Sequence, residues 1–310
     1  MREELHLYGH GKLLLTGEYF VLDGARALAI PTRLGQRFTV TPMAVDSIYD
    51  LVWIMHSSDR QEPKKLGFRR EDWSHSRLGQ DPVRSRLQQL FYAAEQLRPR
   101  CTVELLGRTV ETFLEFPADW GLGSSSTLVY ALARLLKVNA YDLLELSFDG
   151  SGYDLACAGA AGPIAYRRQG SEPEVTALSW HPEWLDRTCF VHLNRKQNSR
   201  EGIAAYRRAS PVPATRDRIS AITLSLVREA HDLRSAARLL DEHEVLVGHA
   251  LGMTPVGKDR FTDFPGTVKS LGAWGGDFVW VLPEGEFERT RAYFNERGYP
   301  TVIAYNEMAL

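Results

Sequence analysis

Cysteine is scarce in this chain of 310 residues. There are three, Cys101, Cys157 and Cys189, odd in number and far apart. That spacing excludes a disulfide framework and a cysteine-rich zinc site, and reads as three small buried apolar groups. An excess of either charge is also lacking. The 37 Lys and Arg against 39 Asp and Glu leave a net charge of −2, which gives no electrostatic footprint for nucleic acid or an anionic membrane. No apolar run reaches the roughly eighteen residues of a membrane span. The opening Met1-Arg2-Glu3-Glu4 lacks the basic and apolar regions of a signal peptide, so the expectation is a cytoplasmic protein.

Several motifs are missing as well. No Gly-Lys-Ser/Thr follows four spacer residues, so a standard P-loop is excluded. There is no His-Arg-Asp, and Asp277-Phe278 is followed by Val279, which removes the protein-kinase signature. His243-Glu244 opens like a zincin helix, but Val247 stands where the second histidine belongs. Internal repeats and low-complexity tracts are absent.

What remains is an ordinary globular composition, with length enough for one large domain or two. Leu13 to Leu15 and Phe20 to Leu22 read as strands around the turn Asp23-Gly24. Leu51 to Met55 reads as another, and the basic stretch 57–86 as solvated surface. Ser85 to Leu97 has helical periodicity. Cys101 to Leu106 and Val110 to Phe116 read as strands paired about Gly107. A helix from Leu128 to Leu136, a second over Tyr141 to Leu146 capped by Asn139, and a third over Tyr153 to Ala161 follow. Pro163 to Arg167 and Val175 to Trp180 are extended. The texture changes near Pro182, dividing the chain into 1–181 and 182–310. The second part runs strand (Cys189 to Leu193), helices (about 215–234 and 235–250), strand (Phe278 to Leu282), helix (Glu286 to Arg297), strand (Thr301 to Tyr305). This order implies helices on a sheet, an α+β arrangement.

The stretch Trp120-Gly121-Leu122-Gly123-Ser124-Ser125-Ser126-Thr127 lies between an extended run and a helix. Two glycines and a helix start turn backbone N–H groups and a positive dipole end toward one small volume, and three hydroxyls add donors and a magnesium ligand. The pattern is that of a phosphate cradle. A dinucleotide fingerprint is an alternative, with Gly121, Gly123 and Ser126 as its three positions and Glu145 as its ribose acid; a purely structural turn is another. Asp154, in Gly150-Ser151-Gly152-Tyr153-Asp154-Leu155-Ala156, is either a helix-start charge or a functional carboxylate. Lys12 is an edge-strand lysine or a functional cation. Gly272-Ala273-Trp274-Gly275-Gly276 is a tight turn or a loop that approaches a ligand closely.

Taken in order, these segments resemble the GHMP small-molecule kinases. Gly11-Lys12-Leu13-Leu14-Leu15-Thr16-Gly17-Glu18-Tyr19, with Ala27-Leu28-Ala29 beyond it, is similar to the first motif of that family. Gly121 to Ser126 is similar to the second, Ser151 to Ala156 to the segment bearing the aspartate of the mevalonate branch, and Gly272 to Gly276 to the third. His243 to Gly252 resembles the helix lining the C-terminal domain. His10 replaces a proline, Ser126 an alanine, and Trp274 and Asp277 glycines. The resemblance implies an α+β, two-domain GHMP kinase fold. Its N-terminal ATP-binding domain is mixed α/β and its C-terminal domain is ferredoxin-like, helices on an antiparallel sheet.

The implied activity is ATP- and Mg2+-dependent phosphorylation of a small hydroxyl-bearing acid. Mevalonate, an isoprenoid precursor, is the expected acceptor. Phosphomevalonate kinase and diphosphomevalonate decarboxylase chemistry are the alternatives, and a non-catalytic nucleotide binder is a third class. In that scheme the N–H groups of Gly123 to Ser126 hold the phosphates, with Gly121 and Leu122 completing the loop. Ser125 and Glu145 hold the metal, Asp154 takes the hydroxyl proton, and Lys12 keeps Asp154 ionised. Gly272, Ala273, Gly275 and Gly276 close the site. The basic helix start with Lys196 and Ser199 suits a substrate carboxylate; a solvated turn is the equal alternative there. Partners are a small molecule, with a homodimer as the assembly expected and neither nucleic acid nor membrane.

Overall fold

Two long strands open the structure, β1 (Leu5–Thr16) and β2 (Ala27–Pro42), and they pair with each other. The computed structural model describes residues 4–44, 47–59, 62–73, 81–170, 172–195, 199–209 and 212–310. Its chain divides into two compact units that alternate along the sequence. One holds residues up to 11, 34–118 and 123–159; the other holds 12–33, 119–122 and 160–310. None of the described helices is long and apolar enough to cross a membrane.

In the first unit, β3 (Leu51–Ser57) lies between the antiparallel β4 (Lys64–Phe68) and β5 (Arg108–Leu114), to which it is parallel. β5 then pairs antiparallel with the later half of β2, Gln36 opposite Leu114. Helices α1 (Pro82–Leu97), α2 (Ser124–Leu136), α3 (Ala140–Ser147) and α4 (Tyr153–Ala158) share one core with these strands, built on Phe38, Trp53, Phe68, Phe91, Leu132 and Leu155. Asn139 caps α3 as its sequence implies, its side chain accepting from the N–H groups of Tyr141 and Asp142.

Three sequence expectations fail here and in the second unit, each for a local reason. The basic stretch 57–86 is not merely solvated. Lys64-Lys65-Leu66-Gly67-Phe68 alternates, so Leu66 and Phe68 are buried on one side while Lys65 lies on the other; Lys64, at the strand's start, donates to Asp81 at 2.8 Å, and the Arg84 guanidinium covers the Phe68 ring at 4.6 Å. Cys101–Leu105 is a short 3-10 helix rather than a strand. Arg100 turns left-handed, and the Glu95 carboxylate accepts from the N–H groups of Arg100 and Thr102, so local capping replaces strand pairing. Phe20–Asp23, in the second unit, is also 3-10, because Gly17 and Tyr19 take left-handed conformations and swing Phe20 into the core.

The second unit contains the early half of β2, which pairs with β6 (Ile164–Arg167), itself paired with β7 (Glu174–Ala177). After β8 (Cys189–His192) come α5 (Ser199–Ala209), α6 (Pro213–Arg228), α7 (Leu233–Leu251) and α8 (Val256–Arg260). Then follow β9 (Gly266–Ser270), β10 (Phe278–Pro283), α9 (Phe287–Glu296), β11 (Val302–Ala304) and the short α10 (Tyr305–Met308). The sheet order is β11-β8-β10-β9, every pairing antiparallel. The mixed α+β fold with helices on an antiparallel second sheet is therefore present. All three cysteines are free and buried.

A fully buried ion cluster ties the second unit together. The Lys269 ammonium on β9 donates to Glu18 Oε1 at 2.5 Å and to its neighbour's carbonyl, that of Ser270, at 2.6 Å; it also lies 3.1 Å from Glu244 Oε1 on α7. Glu244 Oε2 accepts from the N–H and hydroxyl of Ser270, at 3.0 and 2.6 Å. His243 Nε2 accepts the Gly17 N–H at 2.9 Å, so its lone pair is engaged and its 3.4 Å approach to Glu18 is not an ion pair. Burial, reinforced by the Lys269 charge, holds the imidazole well below its ordinary pKa and neutral. Burial opposes the Lys269 charge, yet Glu18 and Glu244 outweigh it and raise its pKa. Burial pushes the Glu18 carboxyl up to about 7, against the pull of Lys269.

Lys269→Met leaves two carboxylates buried without a cation, and the expected loss is about 3–5 kcal/mol in urea unfolding. Glu18 makes a separate prediction. Its folded pKa is raised, so between pH 4.5 and about 7 the unfolded chain has released a proton that the folded chain retains. The Glu18 contribution therefore falls as pH rises through that window. Relative to Glu18→Gln, the wild-type protein should lose on the order of 3 kcal/mol across it, read as diverging pH–stability curves.

Candidate phosphoryl-transfer site

Gly121 and Gly123 both adopt left-handed backbone conformations, φ 67° and 92°, and Gly123 is the N-cap of α2. Side chains are disfavoured at such angles, which is why this turn needs glycine. The first N–H groups of a helix have no partner within it. Those of Ser126 and Thr127 return to the Gly123 carbonyl, at 2.9 and 3.1 Å, so the Ser126 N–H is engaged and the donors at the helix tip are those of Gly123, Ser124 and Ser125. The Ser125 side chain is exposed, whereas Ser126 and Thr127 are buried. Thr127 anchors the turn. Its hydroxyl lies 2.7 Å from Gln36 Oε1 and 3.0 Å from the Ser124 carbonyl, and Gly9 on β1 leaves it room, since a Cβ there would sit 3.1 Å from the Thr127 Cβ.

Asp154 lies in the first turn of α4, whose N-cap Gly152 is again left-handed. Tyr153, Leu155, Cys157 and Ala158 are buried, which fixes the phase of this short helix and leaves Asp154 half-buried on its other side. The Ser126 hydroxyl donates to Asp154 Oδ2 at 2.5 Å. Nearby, burial and then the Asp154 charge push the Tyr141 hydroxyl up to about 12. The structure thus brings the mid-chain carboxylate to the first turn of the helix behind the Gly-Ser loop.

The other site residues of the sequence are placed as follows. Lys12 is half-buried on β1, and its backbone N–H donates to the Leu122 carbonyl at 3.0 Å, so the strand that carries the lysine also holds the loop. Leu122 is fully buried, and the Trp120 ring meets Phe278 edge-on at 5.4 Å. Gly272, Ala273, Gly275 and Gly276 form the turn between β9 and β10, with φ 59° at Gly272 and 95° at Gly275. Trp274 does not line an opening: it is 1% exposed, packed with Tyr19, Phe20 and Val247. Glu145 is exposed on α3, whose buried positions are Leu143 and Leu144. Lys196 lies outside the described residues. Ser199 begins α5, and its side chain lies outside them too. Among the described residues no group of three His, Cys, Asp or Glu side chains could hold a metal ion by itself.

Sequence reading missed three things: the Ser126–Asp154 contact, the buried Glu18–Lys269–Glu244 cluster and the buried Asp277. A glycine pair followed by an acid, Gly275-Gly276-Asp277, was the one available signal for the last.

Comparison with protein-family models finds no match, and neither does comparison with curated proteins. Solved structures do match over nearly the whole chain. The chain resembles Streptococcus pneumoniae phosphomevalonate kinase in complex with phosphomevalonate and AMPPNP, with TM-score 0.68, 17% identity and coverage of 95% of this chain and 96% of that one. It resembles Lactococcus lactis galactokinase complexed with galactose, with TM-score 0.66, 13% identity and coverage of 98% and 94%. The third is L. major mevalonate kinase in complex with R-mevalonate, with TM-score 0.63, 17% identity and coverage of 96% and 94%. The fold is that of the GHMP small-molecule kinases. Within this GHMP fold, Gly123 to Ser126 and Asp154 belong to the unit that carries β3 to β5, while Gly121, Leu122, Lys12 and the 272–277 turn belong to the other.

Gly121→Ala tests the loop geometry. The left-handed φ costs an alanine about 1–2 kcal/mol, and its Cβ would land on the Asp277 carboxylate. A lowered thermal midpoint is expected, recovering in part when Asp277→Ala is added because the carboxylate is then gone.

Proposed function

We propose that this protein is an ATP-dependent kinase that phosphorylates a hydroxyl of a small acid, with mevalonate as the acceptor. The observation that carries the reading is the 2.5 Å contact between Ser126 and Asp154. It sets a carboxylate beside the first turn of a helix whose tip N–H groups have no partner within the helix, and phosphoryl transfer needs those two features together: donors for the phosphate oxygens and an acceptor for the hydroxyl proton.

The residues fit ATP. Gly121 and Gly123 keep side chains away from the loop, the dipole end of α2 favours an anion, and Ser125 offers an exposed hydroxyl. ATP supplies the phosphoryl group, and Mg2+ neutralises its oxygens, with Ser125 and Glu145 as the side chains first indicated by the sequence. In this scheme the N–H groups of Gly123, Ser124 and Ser125 bind and orient the phosphates. Ser126 fixes the rotamer of Asp154. Asp154 Oδ1, the oxygen not taken by Ser126, accepts the proton of the acceptor hydroxyl. Lys12 is assigned the polarisation of that hydroxyl. Likeness to the mevalonate and phosphomevalonate kinases supports the acceptor class, and the galactokinase match is the reason to test it directly.

An ATP-consumption screen over mevalonate, its phosphates, homoserine and galactose identifies the acceptor, and turnover of mevalonate is the expected result. With the acceptor in hand, Asp154→Asn should lower kcat by about 10²–10⁴. Activity retained within about tenfold removes Asp154 as the base. Unchanged turnover in Lys12→Met removes the lysine from the scheme.

A further inference from the structure

The core of the second unit runs out uncovered at β7. Paired side chains on neighbouring strands share a face of the sheet. Two such rows cross β2, β6 and β7: Ala27, Tyr166 and Val175 form one, Ala29, Ile164 and Ala177 the other. The first two members of each row are buried, whereas Val175 is 43% exposed and Ala177 is exposed as well. The backbone is open too. The Leu178 N–H donates to the Pro163 carbonyl at 2.9 Å. In an antiparallel pair such bonds fall on alternate residues, so Thr176 and Glu174 also turn toward β6, opposite Ala165 and Arg167. Val175 and Ala177 therefore direct their N–H and C=O groups to the other side, where β7 has no neighbouring strand among the described residues.

An open row of backbone groups is a template for another strand, and proteins guard such edges with lysine, proline or an inward charge. Two other edge strands are guarded in these ways: β4 carries Lys64 and Lys65, and β9 carries the inward Lys269. β7, Glu174-Val175-Thr176-Ala177, has neither lysine nor proline. Its one charge, Glu174, is engaged by Arg26 at 3.4 Å. The row is also self-complementary. About a two-fold axis at Thr176, Val175 lies opposite the partner's Ala177, so that each can donate to and accept from the other. Glu174 then falls opposite the partner's Leu178, and like charges do not meet. The two apolar rows continue from one copy into the next on the same face. A patch that complements itself in this way closes as a two-fold dimer. We propose that β7 is the surface through which two copies of this chain associate, joined edge to edge and antiparallel about Thr176. The interface is independent of the kinase reading.

Sedimentation equilibrium of the full chain tests the interface, and a dimer is the expected result. Ala177→Pro removes an N–H that β6 does not use, and proline is tolerated on an edge strand. It should weaken the dimer by at least about tenfold, since each copy loses one hydrogen bond. Val175→Lys, which installs the guard that β4 carries, should do the same. At dilutions where each is monomeric, both variants should melt with the wild-type protein. Cross-linking reads the register. Thr176 and its counterpart would form a non-hydrogen-bonded pair with Cα atoms about 4.5 Å apart, within the span of a disulfide, and the native cysteines are buried. Under copper–phenanthroline and air, Thr176→Cys should give a covalent dimer and Ala177→Cys should not. Wild-type protein that is monomeric at sub-millimolar concentration overturns the proposal and leaves the edge to a different partner. A dimer that survives both Ala177→Pro and Val175→Lys in folded protein overturns it, as does equal cross-linking of Thr176→Cys and Ala177→Cys. None of these outcomes alters the acceptor screen, so the kinase reading stands or falls separately.

Discussion

A single ammonium group organises the second unit. Lys269 is wholly buried, and two segments distant in sequence converge on it, the turn after β1 through Glu18 and α7 through Glu244, while its own strand adds the Ser270 carbonyl. Two carboxylates facing one lysine leave an excess negative charge. The chain absorbs it in two ways. Ser270 donates twice to Glu244, and Glu18 takes on a raised pKa. Such a cluster is a weak source of net stability compared with apolar packing, but it is intolerant of losing one member. Its value is in register: β9, α7 and the Gly17-Glu18 turn can meet in one arrangement only if all of these groups are satisfied together.

That register matters for the loops. Gly17 and Tyr19 turn the chain into the 3-10 segment at Phe20, and Phe20 and Tyr19 pack on Trp274. The turn between β9 and β10 is thereby set by the same core that the ion cluster aligns. The Lys12 N–H, earlier on the same strand, holds Leu122. In the other unit, Thr127 and Gly9 perform the equivalent task for the first turn of α2, and the Ser126 hydroxyl extends it to Asp154. Each half of the glycine–serine stretch is fixed by its own set of contacts.

Much of this was legible in the chain. The glycine–serine stretch, the helix capped by Asn139 and the strand–helix order after Pro182 follow from spacing and turn chemistry. The failures share a cause: contacts that spacing does not encode. Cys101 to Leu106 has the composition of a strand, but Glu95 captures its N–H groups. Leu66 and Phe68 are two apolar residues in a basic stretch, too few to show a period until β3 is seen beside them. β9 escaped notice because Lys269 interrupts its apolar pattern, and only the two carboxylates explain a buried lysine there. Asp154 could be read as a helix-start charge, and Ser126 as a departure from a motif, until the fold brought the two into contact.

The burial of Trp274 bears on how the turn between β9 and β10 can behave. Its indole, 1% exposed, is the tip of the turn and also part of the protein interior. Displacing the tip would mean extracting a tryptophan from packing worth about 3–5 kcal/mol by truncation. Such a turn would open rarely, so the chain between β9 and β10 is held to the interior by its own tip.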